Sequence, residues 1–132
     1  MVSVTKDSKL LTSIKVFEEV FRFAYVTEDD LDAGTYQYYR PTERQKERYA
    51  PFNTLWCYNA DADSTIRIYL DGDTSNFYDV PPSSSIFINP EDGIFFSFFD
   101  YKNLSSSSTI SAGKIRYRVG KGRPKATLQT LN

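Results

Sequence analysis

Residues 65–82, TIRIYLDGDTSNFYDVPP, have the pattern of two short strands joined by a tight turn. Aliphatic residues stand at every second position from Ile66 to Leu70, and this period of two is typical of a strand with one buried face. Asp71-Gly72 tolerates the positive φ angles of a hairpin turn. Asn76 to Val80 then has the composition of the returning strand, which Pro81 ends because proline cannot donate to a ladder.

Similar runs of Ile, Val, Phe and Tyr follow on both sides of this hairpin, separated by turn residues. They predict strands at 53–58, 85–88, 94–101 and 114–119. The run 94–101 is apolar on both faces, so we expect it to lie centrally or to be covered by a partner chain. The run 114–119 alternates, which predicts that three residues point inward and three cations outward. The inward residues are Ile115, Tyr117 and Val119.

The first fifty residues allow two interpretations. Apolar residues between positions 10 and 26 fit a helical stripe or strand alternation, and the density of β-branched and aromatic residues from Ile14 to Val26 favours a strand. A second strand is predicted at Tyr36–Tyr39. Thr42 and Gln45 have the spacing of a capping box, so the charged segment 42–48 fits a short exposed helix or a loop.

These segments predict an all-β domain. Seven or eight strands with short connections and no regular βα alternation indicate an antiparallel β-sandwich, with the jelly roll as the favoured arrangement. We expect a flexible N-terminal arm at 1–11, a single sandwich domain at 12–120 and a flexible C-terminal tail at 121–132. Strand order is not encoded in these patterns.

Composition argues against several function classes. The chain has 132 residues, 16 basic and 17 acidic, so its formal charge of -1 gives no overall attraction to nucleic acid or to an anionic membrane. It contains one cysteine, Cys57, and no histidine, which removes disulfide frameworks, imidazole ligands and His-dependent nucleophiles. We therefore predict no enzyme activity, no cofactor and no metal site. Residues 1–9 lack the apolar stretch of a signal peptide, and no membrane span is expected.

Two loops are candidate calcium sites, and two carboxylate pairs are candidate catalytic sites. Oxygen donors cluster at 59–63 and at 71–73, as in calcium sites, but neither segment completes a calcium-binding loop and turn formation explains both. Glu18 and Glu19 would point to opposite faces of a strand, and Glu91-Asp92 lies in a turn, so neither pair suits acid/base catalysis.

Interface residues are the better candidates. Exposed tyrosines suit protein contacts or sugar stacking, although a half-buried strand explains them equally. The C-terminal cations suit an acidic neighbour; nucleic acid is disfavoured because few aromatic residues interleave with them. The candidate interface residues are Tyr36, Tyr38, Tyr39, Arg116, Arg118 and Arg123. Trp56 is predicted to lie in the core.

Several short segments between about residues 55 and 120 resemble segments of a known class of proteins. They are Ile68–Gly72, Tyr78–Pro81, Ser84-Ser85, Pro90–Ile94, Lys102-Asn103 and Ile110–Arg116. With these turn signals the chain is similar to small virion proteins of bacteriophages. The resemblance implies a compact sandwich in or on the capsid, as a penton, minor capsid or decoration subunit. It also implies other virion proteins and further copies of the chain as partners, and a virion location after synthesis in the host cytoplasm.

A recognition module is the competing interpretation. Carbohydrate- or receptor-binding domains use the same architecture with exposed aromatic residues. Tyr36, Tyr38, Tyr39 and Trp56 would then form the binding surface.

Overall fold

The computed structural model describes residues 21–122, which form eight strands and one short α-helix. The strands are β1 (Phe21–Val26), β2 (Tyr36–Tyr39), β3 (Thr54–Asn59), β4 (Ile66–Leu70), β5 (Phe77–Val80), β6 (Ser84–Ile88), β7 (Phe99–Asn103) and β8 (Ile115–Gly120). The helix, α1 (Glu43–Tyr49), lies between β2 and β3. All strand pairs are antiparallel, which confirms the predicted all-β sandwich.

The strands divide into two sheets of four. The first sheet has the order β1-β8-β3-β6 and the second has the order β2-β7-β4-β5. Strand one therefore pairs with strand eight, two with seven, three with six and four with five, and these four pairs alternate between the sheets. The first four strands thus pair with the last four in reverse order, and the chain turns back at the β4–β5 hairpin.

The core lies between the sheets, where every second residue of each strand points inward. In β4 and β8 the inward residues are those that the alternation predicted, including Ile66, Ile68, Ile115 and Val119. At the β4–β5 turn, Asp71 and Gly72 both have positive φ, as expected for this dipeptide.

The strand predicted at 94–101 is wrong in its bounds. β7 begins only at Phe99, and the preceding segment makes a single bridge, between Phe96 and Phe52. Phe96 and Phe99 are both buried although three positions separate them, so the alternation is broken between them. Phe95 is instead 56% exposed.

The described end of the first predicted strand follows the strand interpretation. Residues 21–26 are extended and pair with β8, while residues 10–20 lie outside the described part. The segment after β2 forms α1, with the predicted capping box between Thr42 and Gln45. The predicted arm at 1–11 and all but two residues of the predicted tail at 121–132 also lie outside the described residues. Within residues 21–122, no helix is long and apolar enough to cross a membrane.

Candidate functional site

The outer surface of the first sheet brings together side chains from four strands. Two rows cross the sheet, and the register places Arg118 beside Trp56 in one row and Arg116 beside Tyr58 in the other. We call this surface the arginine face. It consists of Ala24, Val26, Trp56, Tyr58, Ser85, Phe87, Arg116 and Arg118.

Aromatic rings and guanidinium groups lie close together on the arginine face. The rings of Trp56 and Tyr58 have centroids 6.2 Å apart and planes within 16° of parallel. The guanidinium carbon of Arg118 lies 5.3 Å from the Trp56 ring centroid, within the range of a cation–π contact. Val26 and Phe87 add apolar surface, and each is 52% exposed. The prediction that Trp56 belongs to the core is wrong, because its side chain points outward and is half-buried.

The arginines of this surface carry unpaired charge. No position of the face holds an acidic residue. Within residues 21–122, neither Arg116 nor Arg118 forms an ion pair. A shallow depression of about 270 Å³ opens beside them, above the small side chain of Ala24. Its walls are formed by Tyr25, Val26, Trp56, Arg116, Tyr117 and Arg118.

Linear sequence reasoning found the cations of this surface and missed the aromatic residues. The residue pattern predicts few aromatic residues among the cations, because the outward positions of β8 next to Arg116 and Arg118 hold no aromatic residue. The structure supplies them from β3, which lies about sixty residues earlier in the chain and next to β8 in the sheet. Only strand order, which local residue patterns do not reveal, brings these side chains together.

The outer surface of the second sheet is also aromatic, but two of its cations form ion pairs within the chain. Tyr36 and Tyr38 are 51% and 61% exposed, as the prediction of interface residues requires. Cations already cover ring faces here: Lys102 lies over Tyr36 at 5.2 Å and Arg40 lies over Tyr38 at 4.4 Å. Arg40 also bonds Asp100 at 3.0 Å.

The same pattern continues at the other edge of the second sheet. Arg67 lies 3.8 Å from the centroid of the Phe77 ring. Its guanidinium donates two hydrogen bonds to the carboxylate of Asp79, at 2.7 and 3.0 Å. This ion pair raises the pKa of Arg67 above its ordinary value. Arg40 and Arg67 of this surface are therefore paired with carboxylates, whereas Arg116 and Arg118 of the arginine face have no such partner among the described residues.

Two further predicted interface residues do not contribute to a described surface. Tyr39 is 4% exposed and packs inside the sandwich against Tyr25, Phe99 and Tyr117. Its assignment to an interface is wrong, because strand alternation sends it to the opposite side from Tyr38. Burial raises the pKa of the Tyr39 hydroxyl above its ordinary value. Arg123 lies outside the described residues.

In both candidate calcium loops, a carboxylate accepts hydrogen bonds from backbone N–H groups of the chain. Asp61 accepts hydrogen bonds from the backbone N–H groups of Asp63 and Ser64. Asp71 accepts them from Ser97 and Phe98. These are turn and loop contacts. Between residues 21 and 122, no group of three or more acidic or cysteine side chains is arranged to hold a metal ion.

Of the two carboxylate pairs, Glu91-Asp92 lies in the described part of the chain. Asp92 caps the short 3-10 turn at Pro90–Asp92 by accepting a hydrogen bond from the N–H of Asn89, and Glu91 is exposed beside it. Glu18 and Glu19 lie outside the described residues.

An acidic projection at one end of the sandwich was not singled out from the sequence. We call residues 28–32, EDDLD, the acidic loop. Leu31 is 1% exposed and bridges Ile110 with backbone hydrogen bonds of 2.8 and 2.9 Å, so it fastens the loop to the core. Asp30 accepts a hydrogen bond from Ala112, and Asp32 accepts one from the hydroxyl of Thr109. Glu28 and Asp29 are exposed and form no ion pair with another described residue.

Comparison with known proteins returns no family model, curated protein or solved structure that matches this chain.

Proposed function

We propose that this chain is a structural subunit that assembles with further copies of itself, of the class found in bacteriophage virions. The observation that carries the proposal is the composition of the arginine face. Trp, Tyr, Phe and Arg are enriched at the centres of protein–protein interfaces, whereas Lys, Asp and Glu are depleted there. The arginine face holds the enriched types and none of the depleted charged types.

Strand order supports the finer part of this proposal. A ribbon wound so that strands 1 and 8, 2 and 7, 3 and 6, and 4 and 5 pair alternately in two sheets is the arrangement expected of a jelly roll. We interpret the sandwich as a jelly roll on this basis. Viral capsid domains and lectins both use that architecture, so the fold agrees with the bacteriophage resemblance without selecting it.

Light scattering of the purified chain tests self-assembly. We expect a defined oligomer whose dissociation constant rises at least tenfold in Trp56→Ala, because a half-buried tryptophan at an interface centre is the type of residue that dominates binding energy. Phe77→Ala on the second sheet is the matched control and should leave the mass unchanged. A chain that remains monomeric at every concentration tested would contradict the proposal.

Carbohydrate or receptor recognition is a second candidate, favoured by the exposure of Tyr36 and Tyr38. Sugar stacking requires a free aromatic face. Lys102 and Arg40 already lie over these two rings, so such a ligand would have to use their remaining faces or displace the cations. A glycan titration in which Tyr36→Ala with Tyr38→Ala abolishes binding would establish this function, and unchanged binding would remove these tyrosines from it.

A further inference from the structure

The arginine face cannot pack against the same face of a second copy. Two-fold packing would bring four guanidinium groups together with no carboxylate on either surface. Like charges that face each other at a desolvated contact strongly oppose association. A partner on this surface must therefore supply acidic groups.

The chain itself carries a matching acidic group at a different place. The acidic loop contains four carboxylates in five residues. Leu31 and the hydrogen bonds of Asp30 and Asp32 hold its backbone against residues 109–112. Glu28 and Asp29 form no ion pair within residues 21–122, so they can bind a partner. The loop lies at an end of the sandwich, where the chain passes from β1 to β2, whereas the arginine face lies on its side.

The size of the depression on the arginine face fits such a loop. Its volume of about 270 Å³ equals the share of roughly nine water molecules in the liquid. That space accepts one or two carboxylate side chains. Arg116 and Arg118 stand two positions apart on one strand, about 7 Å along it, so neighbouring carboxylates of a loop can each reach one guanidinium.

We infer that the acidic loop of one copy docks on the arginine face of the next, with Glu28 and Asp29 pairing with Arg116 and Arg118. This contact rests on the proposed self-assembly and specifies its two surfaces. Because the loop directly follows Val26 of the arginine face, the contact has two arrangements. A reciprocal one joins two copies about a two-fold axis, and a one-way one generates a closed ring or an open filament. Trp56 and Tyr58 surround the ion pairs with apolar surface that shields them from water.

Nucleic acid is the less favoured occupant of the same surface. Arginines beside aromatic rings also suit a single strand of DNA or RNA. The overall charge of -1 and the acidic loop both oppose the approach of a polyanion, however, whereas a second copy satisfies both charged surfaces at once.

Charge exchange tests the docking. The face variant carries Arg116→Glu and Arg118→Glu, the loop variant carries Glu28→Lys and Asp29→Lys, and the swap variant carries all four substitutions. Asp30 and Asp32 stay unchanged because they hold the loop backbone. A helix variant with Arg44→Glu and Arg48→Glu is the control, since it makes the same charge change as the face variant at two exposed cations of α1. Circular dichroism checks that each variant folds.

We expect light scattering to give an oligomer for the wild type and the helix variant. The face and loop variants should have dissociation constants raised at least tenfold, and the swap variant should recover assembly. An equimolar mixture of the face and loop variants should also assemble, because each supplies the surface that complements the other. Raising the salt concentration should weaken the wild-type contact.

Other outcomes separate this inference from the proposed function. A wild type that is monomeric at all concentrations overturns both. Assembly that survives in the face variant, or disappears in the helix variant, overturns the docking and leaves self-assembly in place. Loss in both single-surface variants without recovery in the swap variant shows that the two surfaces do not meet. Tight binding of fluorescent oligothymidylate by the wild type, lost in the face variant, identifies nucleic acid as the occupant and overturns the inference.

Discussion

Buried asparagines connect the loops of this sandwich to its strand ends. Asn59 donates to the carbonyl oxygens of Ser64 and Val80 and accepts from the N–H of Asp61. Asn103 likewise donates to Leu31 and Ser108 and accepts from Ser105. Each amide takes the place of water for backbone groups that leave the sheet inside the protein, where unpaired groups are costly.

The bonds of Asn103 predict a large loss of stability on truncation. Asn103→Ala removes three hydrogen bonds and leaves the Leu31 carbonyl, at the root of the acidic loop, without its side-chain donor. We expect the free energy of unfolding in urea to fall by roughly 2–4 kcal/mol. Asn76→Ala, at an exposed turn position, is the control and should change it by less than about 0.5 kcal/mol. Equal effects from the two substitutions would show that Asn103 has no special structural role.

At the residue scale, alternation predicts which side chains of a strand share a face. It does not predict whether that face points to the core or to the outer surface. Tyr38 and Tyr39 were grouped as interface candidates by composition, although neighbours in a strand point to opposite sides. Trp56 was assigned to the core by size, because large aromatic residues are usually buried. Trp56 and Tyr58 stand two positions apart in one strand, so alternation alone places the two rings on the same face. It could not have shown that this face is the outer one.

At the element scale, local chemistry was a reliable guide where a short segment determines its own conformation. The β4–β5 turn depends on Asp71-Gly72, and the start of α1 depends on Thr42 and Gln45. The run 94–101 failed because its conformation depends on distant contacts. Pairing with Phe52 buries Phe96, and the strand proper begins at Phe99, where neighbours on both sides are available.

The capping box at α1 predicts a local effect. The Thr42 hydroxyl accepts from the Gln45 N–H at 3.2 Å, and the Gln45 side chain accepts from the Thr42 N–H at 3.0 Å. Thr42→Ala should destabilise the helix by about 1 kcal/mol, since one of its first amides loses its acceptor. Hydrogen exchange should accelerate in α1 and remain unchanged in β3 and β8. Thr74→Ala in the exposed β4–β5 connection is the control, and slow exchange throughout α1 in Thr42→Ala would contradict the expectation.

At the scale of the whole molecule, the sandwich class was predictable and the functional surface was not. Alternating segments and short connections limit the fold to packed antiparallel sheets. The arginine face requires β3 to lie between β8 and β6, and that order results from pairings between residues far apart in the chain. The acidic loop is a charge cluster in the sequence, but its position beside β1 and its attachment to Ile110 depend on contacts between distant segments.

The raised pKa values of buried cysteine and tyrosine side chains predict that the protein loses stability at alkaline pH. Burial raises the pKa of Cys57 and that of Tyr101 to about 12 each, from ordinary values of 9.0 and 10.0. It also raises the pKa values of Tyr39 and Tyr117. The unfolded chain releases these protons at lower pH than the folded chain, so the unfolded state binds fewer protons and stability falls as pH rises. The effect is absent below about pH 8 and begins near the ordinary cysteine value.

Urea unfolding between pH 7 and 11 measures this dependence, and absorbance at 295 nm follows tyrosine ionisation in the folded protein. Each buried group should lower the free energy of unfolding by up to about 1.4 kcal/mol per pH unit between its unfolded and folded pKa values. Tyr101→Phe removes one such group and should flatten the decline above pH 10. If every tyrosine of the folded protein ionised near pH 10, the interior would be open to water and the packing of the two sheets described here would be wrong.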